Sequence, residues 1–80
     1  MMKESEARIL VFLEKIKRGM NYGMHIAAKL EIDYKYCLEV IGMMTERGWI
    51  LRDKYQKRTY YILSKKAPLK EAKLLLGKRK

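Results

Sequence analysis

The 80-residue chain has one cysteine, one histidine, one proline and only nine acidic residues, and each scarcity closes a route. Cys37 is alone, so no intramolecular disulfide can staple the fold. With His25 the only imidazole, the four N/S ligands of a structural zinc site cannot be assembled. A domain this short buries only about 60% of the surface its unfolded chain exposes. Stability is therefore expected from compact apolar packing, from a second copy of the chain, or from both. No apolar run approaches about 18 residues, and the N-terminus lacks the apolar core of a signal peptide. With one thiol as well, a cytoplasmic location is expected. Asn21 and Gln56 are the only side-chain amides beside abundant Lys and Glu, which suits a thermophilic source, although biased genome composition looks the same.

Catalytic arrangements are lacking too. No nucleophile–base pairing, phosphate-cradling glycine loop or metal cluster is legible, so neither an enzyme nor a cofactor is expected. A fold this small is not expected to hold a sizeable pocket or to bind a small-molecule ligand. There is no repeat, low-complexity tract or Gly/Ser linker, and residues 1–80 read as one domain.

Lysine and arginine, by contrast, number 19, giving a formal charge of +10 and a pI near 9.9. Such an excess points to a polyanionic partner, with nucleic acid ahead of an anionic membrane. Solubility alone is the plainer account, but so much charge on so few residues works against compaction.

Periodicity supplies the elements. Ser5 is placed to cap a first helix over 5–18, whose Ile9, Phe12, Leu13 and Ile16 repeat at the spacing of one buried face. Lys15, Lys17 and Arg18 suit its C-terminal end, and Gly19 is placed to stop it. Asn21 caps a second helix over 22–30 with Ile26, Ala27 and Leu30 inward. Asp33 caps a third over 34–47, in which Cys37, Val40, Ile41 and Met44 form the inward stripe and Arg47 and Gly48 the end. Residues 49–51 and 59–63 are β-prone, and the basic stretch 52–58 between them reads as the connector of a hairpin spanning 49–63. The connector lacks Gly, Asn and Pro, so its turn type is open. Pro68 suits the first turn of a last helix over 68–76 with Leu69, Ala72, Leu75 and Leu76 in its stripe, followed by a basic tail over 77–80.

The stretch from Ile26 and Ala27 through Leu30, Asp33, Cys37, Val40, Ile41 and Met44 to Gly48, Trp49 and Ile50 resembles winged helix-turn-helix regulators. The likeness is greatest to MarR- and ArsR-type families and to small archaeal winged-helix proteins, and Tyr61, Ile62, Leu63 and Ser64 resemble their end-of-wing segment. It covers residues 5–64. Two positions depart: Glu31 and Ala67 stand where family members often carry glycine.

The resemblance implies an α+β winged helix, with a three-helix core, a β-hairpin wing and a short C-terminal helix. It implies duplex DNA as partner, a homodimer, transcription regulation and a nucleoid-associated location. The third helix would enter the major groove with Tyr34, Lys35, Tyr36, Leu38 and Glu39, beside Gly42 and Met43. Lys35 suits guanine, Glu39 cytosine N4 and Leu38 a thymine methyl, although Lys35 and Glu39 also fit an ordinary solvated pair one turn apart. In the wing, Arg52, Lys54, Tyr55, Gln56, Lys57 and Arg58 would meet phosphates or the minor groove, or only keep the hairpin soluble. Leu69, Ala72, Leu75 and Leu76 are the candidate dimer contact. Cys37, Met20, Met24, Met43 and Met44 read as core filling, and Trp49 and Tyr61 as packing between hairpin and helices. Architectural DNA binding with little sequence preference, and RNA- or protein-interaction roles, remain open.

Overall fold

The computed structural model describes residues 2–16 and 19–77. Its order is α1 (Glu4–Lys15), α2 (Gly23–Leu30), α3 (Tyr34–Glu46), β1 (Ile50–Tyr55), β2 (Arg58–Leu63) and α4 (Leu69–Gly77). The expected α+β arrangement of three helices, a hairpin and a last helix is present. Lys17, Arg18 and the tail residues Lys78, Arg79 and Lys80 lie outside the described residues.

Helix α1 starts earlier than the Ser5 cap implies. Lys3 is the capping residue, because Glu6 reaches back and accepts the Lys3 backbone N–H at 2.9 Å. Ser5 Oγ lies instead 3.1 Å from the Tyr36 hydroxyl of α3. The helix also ends sooner than Gly19 would stop it, since Ile16 is already extended. The chain leaves α1 early to bring Asn21 and Tyr22 alongside β2. Tyr61 N–H donates to Asn21 O at 2.8 Å, and Asn21 Nδ2 donates to Tyr61 O at 2.7 Å. Asn21 is thus occupied by the hairpin, and Tyr22, not Asn21, takes the capping position of α2.

At the end of α2, Glu31 adopts φ 56° and ψ 46°, the left-handed conformation that costs a non-glycine residue about 1 kcal/mol. Its N–H donates to Ala28 O and the N–H of Ile32 donates to Ala27 O, which closes the helix end. Arg8 of α1 adds a third donor, from Nη2 to Leu30 O at 2.6 Å. A glycine is therefore dispensable at this turn: the backbone keeps the left-handed conformation while carrying glutamate. Asp33 caps α3 as expected, accepting from Tyr36 N–H at 3.1 Å. Gly48, at φ 82°, ends it, and Trp49 N–H donates to Met44 O.

The hairpin is longer than residue preferences indicate. Arg52, Asp53, Lys54 and Tyr55 are strand, paired with Tyr61, Tyr60, Thr59 and Arg58, so the connector shrinks to Gln56 and Lys57. Gln56 takes the positive φ (56°) that a two-residue turn requires. Polar side chains did not prevent pairing because the ladder is made by backbone and both faces of the arm are largely in solvent.

Ile9, Leu10, Ile26, Ile41, Met44 and Ile50 are fully buried, each contributing about 1.5–3 kcal/mol by leaving water. Cys37, Val40, Ile41 and Met44 form the inward stripe of α3 as read. On α1 the buried apolar face is Ala7, Ile9, Leu10 and Leu13, with Phe12 and Ile16 only half-buried, because they line an open depression with Met20, His25 and Lys29. Of the four methionines read as core filling, only Met44 is core; Met20, Met24 and Met43 are exposed on outward faces. Pro68 precedes α4, its carbonyl accepting from Ala72 N–H at 3.0 Å, while Ala67 packs half-buried on the core. Ala72 is fully buried and Leu69, Leu75 and Leu76 pack on the same core, so the stripe expected at a dimer contact is turned onto its own domain. Leu74 is the large apolar residue that α4 leaves exposed.

Candidate nucleic-acid interface

Helix α3 presents Tyr34, Lys35, Tyr36, Glu39 and Met43 to solvent. Lys35 and Glu39, one turn apart, form no ion pair with each other, which leaves both heads available. Leu38, expected at a thymine methyl, also packs inward. It is half-buried against the first turn of α2, where a Cβ added to Gly23 would stand 2.9 Å from Leu38 Cδ2 and 3.3 Å from Tyr34 Cε1. Glycine at 23 lets α2 and α3 approach, and Leu38 packs into that approach. Tyr36 is likewise tied to α1 through its hydroxyl and Ser5.

The basic residues of the wing are all exposed, and two of them also lie against the body of the domain. Lys54, Tyr55, Gln56 and Lys57 are exposed around the turn. Arg52 stands at the base, on the strand face it shares with Ile50 and Tyr61, and its Nη2 lies 3.9 Å from where a Cβ on Gly42 would sit. Its guanidinium thus adjoins the exposed side of α3. Burial raises the Tyr61 phenol above its ordinary value, and the facing Arg52 charge offsets part of that rise. Arg58 lies with its guanidinium carbon 4.1 Å from the centre of the Tyr22 ring.

Two further groups brace the site. Glu6 is buried yet charged-paired, accepting from Arg47 Nη1 at 2.9 Å, and the Arg47 guanidinium lies 5.0 Å from the Trp49 ring centre. That ties the start of α1 to the end of α3 and the base of the wing. His25 sits half-buried beside Phe12 and Tyr22. Sequence reasoning missed Tyr22, Glu6 and Arg47. An aromatic directly before a helix was the one visible hint of the first, and the other two are 41 positions apart with no local signal.

Cys37 is fully buried, and burial pushes its thiol up to about 11, so it remains a protonated core group at neutral pH. Among the described residues no group of three or more His, Cys, Asp or Glu could hold a metal ion, and no helix is long and apolar enough to cross a membrane. Contrary to the expectation of no sizeable pocket, an open groove of about 570 Å³ runs between α1 and the wing, lined by Leu13, Ile16, Asn21, Asp53, Tyr55 and Tyr60 among others.

No family profile matches the chain. No curated protein matches it either. Solved structures do. Lactococcus lactis ZitR superposes with a TM-score of 0.79 at 20% identity, over 96% of this chain and 52% of that one. A MarR-family transcriptional regulator from Rhodococcus sp. RHA1 gives 0.77 at 14% identity, over 96% and 56%. AF1382 from Archaeoglobus fulgidus gives 0.74 at 20% identity, over 99% and 88%. ZitR has also been solved in complex with DNA, and that structure matches with a TM-score of 0.77 at 21% identity, over 98% of this chain and 55% of that one. The chain therefore has the winged-helix fold of MarR-type regulators, and it spans about half the length of ZitR and the Rhodococcus regulator.

Proposed function

We propose that residues 1–80 form a single winged-helix domain that binds duplex DNA and regulates transcription, with α3 in the major groove and the wing on the backbone. The observation that carries this reading is the continuity of one surface. The exposed side of α3 joins the basic hairpin through Arg52 against Gly42, in a fold whose ZitR example was solved on DNA. Lys35 donates to guanine O6 or N7 and Glu39 accepts from cytosine N4, while Tyr34 and Tyr36 reach bases or phosphates. Arg52, Lys54 and Lys57, with Tyr55 and Gln56 at the turn, meet the backbone. With roughly six phosphates neutralised, log K falls against log salt with a slope of about −5. Such a protein resides with the nucleoid in the cytoplasm.

The regulator acts as a homodimer that sets two α3 helices about 34 Å apart on a palindromic site. Because the α4 stripe is largely occupied by its own core, Leu74 and the partly exposed edges of Leu75 and Leu76 are what it offers a second copy.

One observation favours a second reading, architectural binding with little sequence preference: α3 exposes only Lys35 and Glu39 as charged base readers in its first two turns. Selection from a pool of random duplexes at about 150 mM salt, followed by sequencing, separates the two, since regulators prefer their site by about 10³-fold or more. A narrow palindromic motif supports the dimeric regulator. Retention without a motif supports the architectural role. No retained duplex removes both and directs the search to RNA or a protein partner.

A further inference from the structure

The geometry points to Arg58 as a positioning residue that fixes the angle of the wing through Tyr22, in place of the phosphate contact its charge suggests. A two-stranded hairpin has little stability of its own, so its direction depends on what holds its base. Here the holding residues lie immediately before α2. Asn21 exchanges two hydrogen bonds with Tyr61, and Tyr22 forms a backbone bridge with Tyr60. Side chains extend that attachment outward. Arg58 and Tyr60 are two apart on β2 and share one strand face, and the Tyr22 ring contacts both. The Tyr60 ring meets it edge-on at 6.3 Å and 90°, while the Arg58 guanidinium carbon is 4.1 Å from its centre.

A cation over a ring face is held by the ring's quadrupole, so the stack occupies one flat side of the guanidinium and fixes where its N–H edge points. Arg58 is the first residue of β2, directly after the turn, so this contact supports the arm further toward its tip than any other described tie to the helices. Arg52, at the base of β1, adjoins α3 beside Gly42. Arg52, Lys54 and Lys57 are the charges that meet the DNA backbone in the proposed reading, and the placement of the two lysines depends on Arg58 and Tyr22.

The functional consequence rests on the DNA-binding reading, whereas the contact itself does not, and the experiment keeps the two apart. The full chain and its variants are titrated with a random-sequence duplex by fluorescence anisotropy across a range of salt. Lys57→Met makes the slope of log K against log salt shallower by about 0.9, the mark of a lost phosphate contact. Arg58→Met weakens binding severalfold while leaving the slope of the parent. Tyr22→Leu reproduces that loss, the double variant loses no more, and Tyr22→Phe, which keeps the ring, restores the affinity. If Arg58→Met flattens the slope as Lys57→Met does, and its loss multiplies with that of Tyr22→Leu, Arg58 is a phosphate contact and the inference is overturned. A denaturation cycle without DNA gives the second readout: Tyr22 and Arg58 are coupled by about two- to fivefold in the unfolding equilibrium constant. Absence of that coupling also overturns the inference. Should the parent bind no duplex at all, the DNA-binding reading fails, and the denaturation cycle alone decides the contact.

Discussion

Leu38 of α3 lies over Gly23 of α2 so closely that a Cβ on Gly23 would stand 2.9 Å from Leu38 Cδ2. A side chain at position 23 would therefore require Leu38 or the helix to shift. Gly23→Ala improves helix propensity by up to about 1 kcal/mol, less at a first helical position. It also overpacks the contact, at a cost of about 1–3 kcal/mol. The expected net result is a loss of about 1 kcal/mol in urea denaturation, with weaker DNA binding because the start of α3 shifts. Leu38→Ala placed in the same chain relieves the clash, so the double variant binds better than Gly23→Ala alone. Independent, additive losses would show that the contact does not set the helix position.

The buried carboxylate of Glu6 offers a second test. It accepts from Lys3 N–H and from Arg47, whose side chain is 44% exposed. Removing the arginine alone leaves a buried charge with one donor. The full penalty for breaking a buried pair is about 3–5 kcal/mol, and partial exposure of Arg47 brings the expectation for Arg47→Met to about 2 kcal/mol. Replacing both groups, Glu6→Leu with Arg47→Met, recovers most of that loss because no buried charge is then uncompensated. Thermal or urea unfolding of the two variants checks it. A double variant less stable than Arg47→Met would mean that the cap on Lys3 outweighs the ion pair.

What was legible in the sequence was whatever depends on near neighbours. The stripe of Cys37, Val40, Ile41 and Met44, the Asp33 cap and the Gly48 stop are all local, and all are where periodicity and capping chemistry place them. The start of α1 and the cap of α2 were not, because a glutamate three positions into the helix overruled a serine, and because Asn21, read as a cap, is taken up by hydrogen bonds with Tyr61. Polar residues 52–55 read as connector, since strand pairing is a property of two backbones and not of these side chains. The candidate interface was legible as a list of exposed basic and aromatic residues. Its division of labour was not: Leu38 packs inward, Arg52 adjoins α3 and Arg58 covers Tyr22, and each of those depends on a partner distant in sequence.

Alkaline pH should expose the cost of ionising the core. The Cys37 thiol titrates at about 11 in the folded chain against an ordinary 9.0. A raised folded value means that the native state holds the proton more tightly than the unfolded chain. The associated stability is thus complete below pH 9 and is lost as pH rises through about 11. That difference corresponds to roughly 3 kcal/mol. Tyr61, raised by burial, adds a loss of the same sign above its ordinary value of 10. Cys37→Ala removes the thiol's share, so its stability falls less between pH 9 and 11 than that of the parent, whatever its stability at neutral pH. Parallel curves for the two would refute the assignment.

If α3 reads bases as proposed, sequence preference should depend on Lys35 and Glu39. Both are exposed on α3, where the proposed docking places them at base edges, and each good base contact is worth about 1–3 kcal/mol of discrimination. Glu39→Gln replaces an acceptor-only carboxylate by an amide that suits adenine N6 and N7, so the selected motif should change at one position in each half-site. Lys35→Met should relax the preference at a neighbouring position. Lys54→Met, on the wing, should instead weaken binding to all sequences alike and flatten the salt slope by about 0.9. Repeating the pooled duplex selection with the three variants decides the matter. If Glu39→Gln and Lys35→Met lose affinity uniformly, with an unchanged or absent motif, then α3 does not read bases. The architectural role then follows, because the same surface would hold DNA through charge and shape alone.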